Sequence, residues 1–116
     1  MSTRQEKVQE LLKTEISDII RREIKDPRVG FVTITDAEVT KDMRHAKVFI
    51  SVLGDESQKA ETLAVLQRAA GYIRSEFSRR AAMKTVPDIV FKMDVAVEHG
   101  HRIFELLQQV KSDEKK

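Results

Sequence analysis

The chain contains no cysteine and no tryptophan, and only one tyrosine among its 116 residues. Without thiols there is no disulfide framework, no thiolate nucleophile and no zinc–thiolate site, a composition that suits a reducing, cytoplasmic compartment. Aromatics amount to 5% of residues, so the core must be built from Ile, Val, Leu and a few Phe. No apolar run approaches the roughly twenty residues of a membrane span, and the N-terminus lacks the apolar stretch of a signal peptide. The sequence therefore predicts a soluble protein with no membrane partner. It also lacks a glycine-rich phosphate loop, a nucleophile elbow and a Cys–His pair. No catalytic constellation, cofactor or small-molecule substrate is predicted: the chain reads as a non-enzyme.

What it has is charge, unevenly placed. Charged residues make up 34% of the chain, yet the net charge is only +2. Between residues 68 and 84 stand five basic residues, Arg68, Arg74, Arg79, Arg80 and Lys84, against the single acid Glu76, so the remainder of the chain is net acidic. Clustering of this kind points to a polyanionic partner more strongly than the total does.

Residues 3 to 25 carry the pattern of an amphipathic helix. Thr3 and Glu6 fit a capping box, and Val8, Leu11, Leu12, Ile16, Ile19, Ile20 and Ile24 form one apolar stripe. Pro27 disfavours helical backbone at Asp26 and should stop the helix near Lys25 and Asp26. A second basic group, Arg21, Arg22, Lys25 and Arg28, collects there, where the helix dipole already favours cations. Phe31 to Thr35 reads as a strand with Val32 and Ile34 on one face, and the pattern can run on through Val39. After a polar break at Thr40–Met43, Ala46, Val48, Ile50 and Val52 mark the buried face of a second strand, antiparallel to the first because the connection is short. Asp55 and Gln58 can cap the next helix.

From about Glu56 to Met83, Leu63, Leu66, Ala70, Ile73, Phe77 and Ala81 recur at helical steps. Periodicity alone gives one long helix, but Gly71 is a costly interior residue, and two helices meeting at Ala69–Ala70–Gly71 are preferred, with Gly71 the expected break. Small side chains there would let another backbone approach. A third strand comes after Pro87, with Ile89, Phe91, Met93 and Val95 on one face, reached by a crossover. Ile103, Leu106, Leu107 and Val110 suggest a short closing helix over 101–110, and 111–116 a polar flexible tail.

On the helix after the glycine, Arg74, Ser75, Ser78, Arg79 and Ala82 lie away from the Ile73–Phe77–Ala81 stripe. A plain solvated face would mix in acids; this one favours anion or nucleic-acid contact, made through backbone and shape because aromatics are scarce. Two other readings compete. The helices of a small interaction module could pair with a protein, the basic face being incidental. Glu98, His99, His101 and Glu105 could in principle hold a metal, but their spacing matches no established signature and a solvated loop is favoured.

Several unlinked pieces resemble the ribosome-binding factor A family, the bacterial small-subunit assembly factors: Asp26-Pro-Arg-Val-Gly30, Val32-Thr-Ile-Thr35, Val39-Thr-Lys-Asp42, Ala46-Lys-Val-Phe49, Ala69-Ala-Gly71-Tyr-Ile-Arg74 and Val86-Pro-Asp-Ile-Val-Phe91. Their order and spacing together carry the resemblance. It implies an α+β fold of type II KH-like kind, ordered α-β-β-α-(kink)-α-β plus the short helix. In it an Ala-x-Gly kink, here Ala69, Ala70 and Gly71, replaces the usual Gly-x-x-Gly loop. A single domain would then span 1–110 with its core over 3–96. The resemblance further implies a monomer that binds free 30S subunits and their rRNA precursor but not 70S ribosomes, assists late maturation including the 5′ end of 16S rRNA, and matters for growth in the cold. The kink would meet rRNA, and the basic residues named above are the electrostatic candidates to join it.

Overall fold

Residues 3–94 are described in the computed structural model, and within them every predicted element of the core is present. Helix α1 (Arg4–Glu23) begins where the Thr3 hydroxyl accepts the Glu6 N–H at 3.1 Å. It buries Val8, Leu12, Ile16, Ile19 and Ile20, the stripe read from periodicity, with Leu11 and Ile24 packed at its margin. The helix stops at Glu23 and Ile24 is extended, slightly short of the expected end at Lys25–Asp26. The cause is local: the Asp26 carboxylate accepts the Arg28 N–H at 2.9 Å, forming an Asx turn that competes with another helical turn.

Strands β1 (Phe31–Val39) and β2 (His45–Leu53) pair antiparallel. Ala46, Val48, Ile50 and Val52 of β2 are buried, as alternation required. The first strand is less regular. Ile34 pairs with Ile50 and Asp36 with Phe49, so Thr35 is an extra residue, a β-bulge. One added residue in a period of two exchanges the faces. Val32 and Ile34 therefore point inward before the bulge, and Ala37 and Val39 after it. In the connecting turn Met43 takes a left-handed backbone (φ 62°) and buries its side chain, although the sequence placed it in a polar break.

Helix α2 (Glu56–Arg68) opens on a full capping box: Asp55 accepts the Gln58 N–H at 2.8 Å and the Gln58 side chain accepts the Asp55 N–H at 2.9 Å. Helix α3 (Ala70–Ala81) begins at once. The break sits at Ala69 (φ −85°, ψ −2°), not at Gly71, which is an early residue of α3. The Ala69 N–H still bonds the Val65 carbonyl, and its own carbonyl accepts from Ile73, so the junction bends the axis without wasting hydrogen bonds. Ala82 ends α3 in the left-handed conformation (φ 51°).

Strand β3 (Asp88–Met93) lies parallel to β2, completing a mixed sheet of order β1-β2-β3. The α2–α3 pair is thus the crossover between parallel neighbours. Leu12 and Ile16 of α1, Leu66 of α2, Ile73 and Phe77 of α3, and Val48, Ile50 and Phe91 of the sheet share one core. Glutamines finish the strand edges. Gln67 of α2 donates to the Phe91 carbonyl and accepts its N–H, both at 3.0 Å, while Gln5 and Gln9 of α1 do the same for Val39 at 2.9 and 3.0 Å. Val95, the predicted helix over 101–110 and the tail over 111–116 lie outside the described residues.

Candidate nucleic-acid interface

Four chain segments converge on the kink. The loop after α1 is pinned to α2 by Thr62, fully buried, whose hydroxyl accepts the Gly30 N–H at 3.1 Å and donates to the Arg28 carbonyl at 3.3 Å. The first turn of α3 is tied to the last turn of α1 by the Tyr72 hydroxyl, which donates to Glu23 at 2.6 Å. That bond raises the Tyr72 pKa and keeps the phenol neutral. Arg68 stands close enough to Asp26 to help lower its pKa. The end of α1, the Asp26–Gly30 loop, the end of α2 and the start of α3 therefore form one surface, carrying Arg28, Arg68, Ala69, Ala70 and Gly71.

Gly71 is exposed, and a Cβ built there meets nothing within 4 Å. The sequence predicted room for a backbone to approach, and the protein's own described residues do not fill that room. Ala69 and Ala70, by contrast, are half-buried and packed against the core. Beside the notch Tyr72 is 49% exposed, an aromatic that the scarcity of aromatics hides although it is the chain's one tyrosine.

The basic residues divide by what they touch. Arg79 is exposed in the last turn of α3, two turns beyond Gly71, and among the described residues its ion pair is with Glu76. Lys84 and Lys25 are exposed and make no ion pair among the described residues. Arg74 turns toward β3, donating to the Val86 carbonyl at 2.8 Å and the Pro87 carbonyl at 3.2 Å, with Asp88 at 3.5 Å; it holds the loop that leads into the strand. Arg80 turns the other way. It donates to Glu15 (3.1 Å), Asp18 (2.7 Å) and Glu23 (2.9 Å), bridging α3 to α1. Those bonds raise its pKa further. Arg21 and Arg22 share Asp18 with it, each at 2.8 Å, and Arg80, then Arg21, hold that carboxyl far below the usual range. Arg28 is paired with Asp26 at 2.7 Å. The structure thus gathers Arg28, Arg68 and the kink, leaves Arg79 exposed in the last turn of α3, and directs Arg74 and Arg80 into contacts within the protein.

No three of His, Asp and Glu come together to hold a metal ion among the described residues, and no helix there is long and apolar enough to cross a membrane. Glu98, His99, His101 and Glu105 lie outside the described residues.

The sequence model of the family Ribosome-binding factor A matches residues 4–107. The ribosome-binding factor A of Desulforamulus reducens is 51% identical over 116 residues, covering 100% of this chain and 97% of that protein. The crystal structure of ribosome-binding factor A from Thermus thermophilus superposes with a TM-score of 0.69 at 22% identity, over 78% of this chain and 97% of that one, and so shows the fold. A Thermus thermophilus ribosome-binding factor A homology model fitted into the cryo-EM map of a 30S complex is similar at 25% identity, with a TM-score of 0.61 over 73% of this chain and 89% of that one.

Proposed function

The chain belongs to the ribosome-binding factor A family, and from that premise we propose that it binds the free small ribosomal subunit and its rRNA precursor, acting by binding alone. The observation that carries this reading is the unobstructed Gly71 at the kink, three residues after Arg68 and on the same helix as Arg79, on a fold shared with a Thermus relative fitted into a 30S complex. A phosphodiester backbone can pass close to a residue with no Cβ, while the guanidinium of Arg68 before it, and that of Arg79 farther along α3, meet successive phosphates. The contacts are to backbone and shape, with Tyr72 available to stack on one unpaired base.

Binding of this kind remodels rRNA only through differential affinity: the protein must hold an immature conformation more tightly than the mature one. Release before subunits join, assistance in maturing the 5′ end of 16S rRNA and importance in the cold belong to the same reading, as does a monomer in the cytoplasm without a cofactor. Within the candidate site, Gly71, Arg68, Arg79 and Lys84 face the rRNA, with Lys25, Arg21, Arg22 and Arg28 at its rim. Ala69 and Ala70 shape the kink. Arg74 and Arg80 support it, the first by fixing the loop before β3 and the second by fixing α3 on α1.

Co-sedimentation with purified free small subunits and with intact ribosomes tests the reading. The native protein should travel with the former only. Replacing Arg68, Arg79 and Lys84 together by Glu should abolish this while leaving the circular dichroism spectrum unchanged. Undiminished co-sedimentation of that triple variant would refute the assigned surface.

A further inference from the structure

The chain's one tyrosine follows Gly71 in the first turn of α3, and its ring is held from the far end. The Tyr72 hydroxyl donates to one oxygen of Glu23 at 2.6 Å, and Arg80 donates to the other at 2.9 Å. Glu23 is the last residue of α1, and Arg80 is fixed in turn by Glu15 and Asp18 of the same helix. The acceptor of the phenol is therefore itself anchored through both oxygens. A side chain tied to α3 by its backbone and to α1 by its hydroxyl keeps one orientation.

Held in this way, Tyr72 still leaves half its surface to solvent. With the hydroxyl engaged, what it offers a partner is the ring. Phe31 is exposed as well, but a phenyl group has no polar atom by which to be held. Two acids act on the phenol, Glu23 and Glu76, and each is bonded to an arginine, Arg80 and Arg79 respectively. Neither is left to draw a cationic side chain onto the ring. Arg79 lies two turns along the same face of α3, exposed, and near enough for its charge to be felt at the phenol. At the preceding residue, Gly71, no described side chain occupies the approach.

We propose that the Tyr72 ring is a subsite for one unpaired base of the rRNA, and that Glu23 is the positioning residue that holds the ring ready for it. The subsite rests on the reading of this chain as an rRNA-binding protein. An aromatic face stacks on any of the four bases, so it adds affinity without reading sequence, and it takes only a nucleotide free of a duplex. Arg79 is placed to meet a phosphate of the same strand. A ring already fixed by Glu23 loses little freedom when the base arrives, so the bond to Glu23 strengthens binding without touching the RNA.

The test uses the full chain and purified free small subunits, with thermal melts to show that each variant is folded. Tyr72→Leu, which removes the ring, should weaken binding by about thirtyfold. Tyr72→Phe keeps the ring and loses only the bond to Glu23, and should weaken it by about threefold. Adding Tyr72→Phe to Glu23→Ala should cost nothing further, because the bond is already gone; a further loss on that addition would overturn the positioning role of Glu23. Ultraviolet irradiation of the native complex, then digestion and mass spectrometry, should find a nucleotide joined to Tyr72. Native binding by Tyr72→Leu, or a ribosomal-protein peptide joined to Tyr72 in place of the nucleotide, would overturn the subsite and leave the rRNA-binding reading standing. A native chain that does not sediment with small subunits would overturn both.

Discussion

Arg80 of α3 donates to Asp18 of α1 at 2.7 Å, a bond between residues 62 apart in the sequence. It makes Arg80 a clasp between two helices, whereas Arg79, its neighbour, stays in solvent. Arg80→Ala should lower the thermal midpoint by on the order of a few degrees, because three carboxylates lose their common cation, while Arg79→Ala should leave it nearly unchanged. Paired thermal melts check this. The same two variants should reverse in order when rRNA binding is measured.

Gly71→Ala separates folding from binding. The added methyl meets nothing within 4 Å, and alanine in a helix is preferred over glycine by about 1 kcal/mol, so the variant should gain stability approaching that value. If rRNA passes over the notch, affinity for small subunits should fall at the same time. Urea unfolding and a subunit-binding titration on one preparation measure both.

Salt dependence reports the number of phosphates met. About four contacts to a single strand give a slope near −3 in a double-logarithmic plot, so a fourfold rise in salt should weaken binding roughly fiftyfold. A slope near zero would remove the phosphate-contact mechanism.

Two depressed carboxyls set the acid limb of stability. Asp26 is drawn down to about 2, first by the Arg28 side chain and then by the Arg28 N–H, and Asp18 is drawn lower still by Arg80 and Arg21. Both are ionised more readily in the folded than in the unfolded chain. Their contribution is therefore complete above about pH 4 and is lost as the pH falls through that value toward 2. Asp26→Asn and Asp18→Asn should each flatten the stability curve in that window, read from urea midpoints between about pH 2 and pH 6.

Thr62 has no exposed surface and serves as both donor and acceptor for the Asp26–Gly30 loop. Thr62→Val keeps its shape but strands the Gly30 N–H and the Arg28 carbonyl, and should cost about 1–3 kcal/mol. The loop amides should also exchange faster, while those of β2 track the global change alone.

Much of this fold is legible in the sequence, and the exceptions have physical causes. Periodicity finds α1 and β2 because each buries one regular stripe. It misjudges β1 because Thr35 inserts one residue into a period of two, so no single alternation fits Val32, Ile34, Ala37 and Val39 together. Glycine's helix penalty points to Gly71 as the break, but the bend is made at Ala69, where backbone geometry near ψ 0° needs no special residue. Of the candidate site, the sequence marks the basic concentration and the kink. It cannot show that Arg80 is already bound by acids of α1, or that Arg74 is spent on two carbonyls before β3, since those partners are set by tertiary packing.

The parallel placement of β3 beside β2 has a consequence for how the protein is made. A nascent chain that has completed the β1–β2 hairpin still exposes the far side of β2, and Ile50 has no strand to bond until residues beyond 88 arrive. Long-range closure of this kind is slow to form, since the chain must first loop through α2 and α3. Translation arrested before Asp88 would leave the β2 edge unpaired, and such an edge invites association with other chains until β3 has emerged.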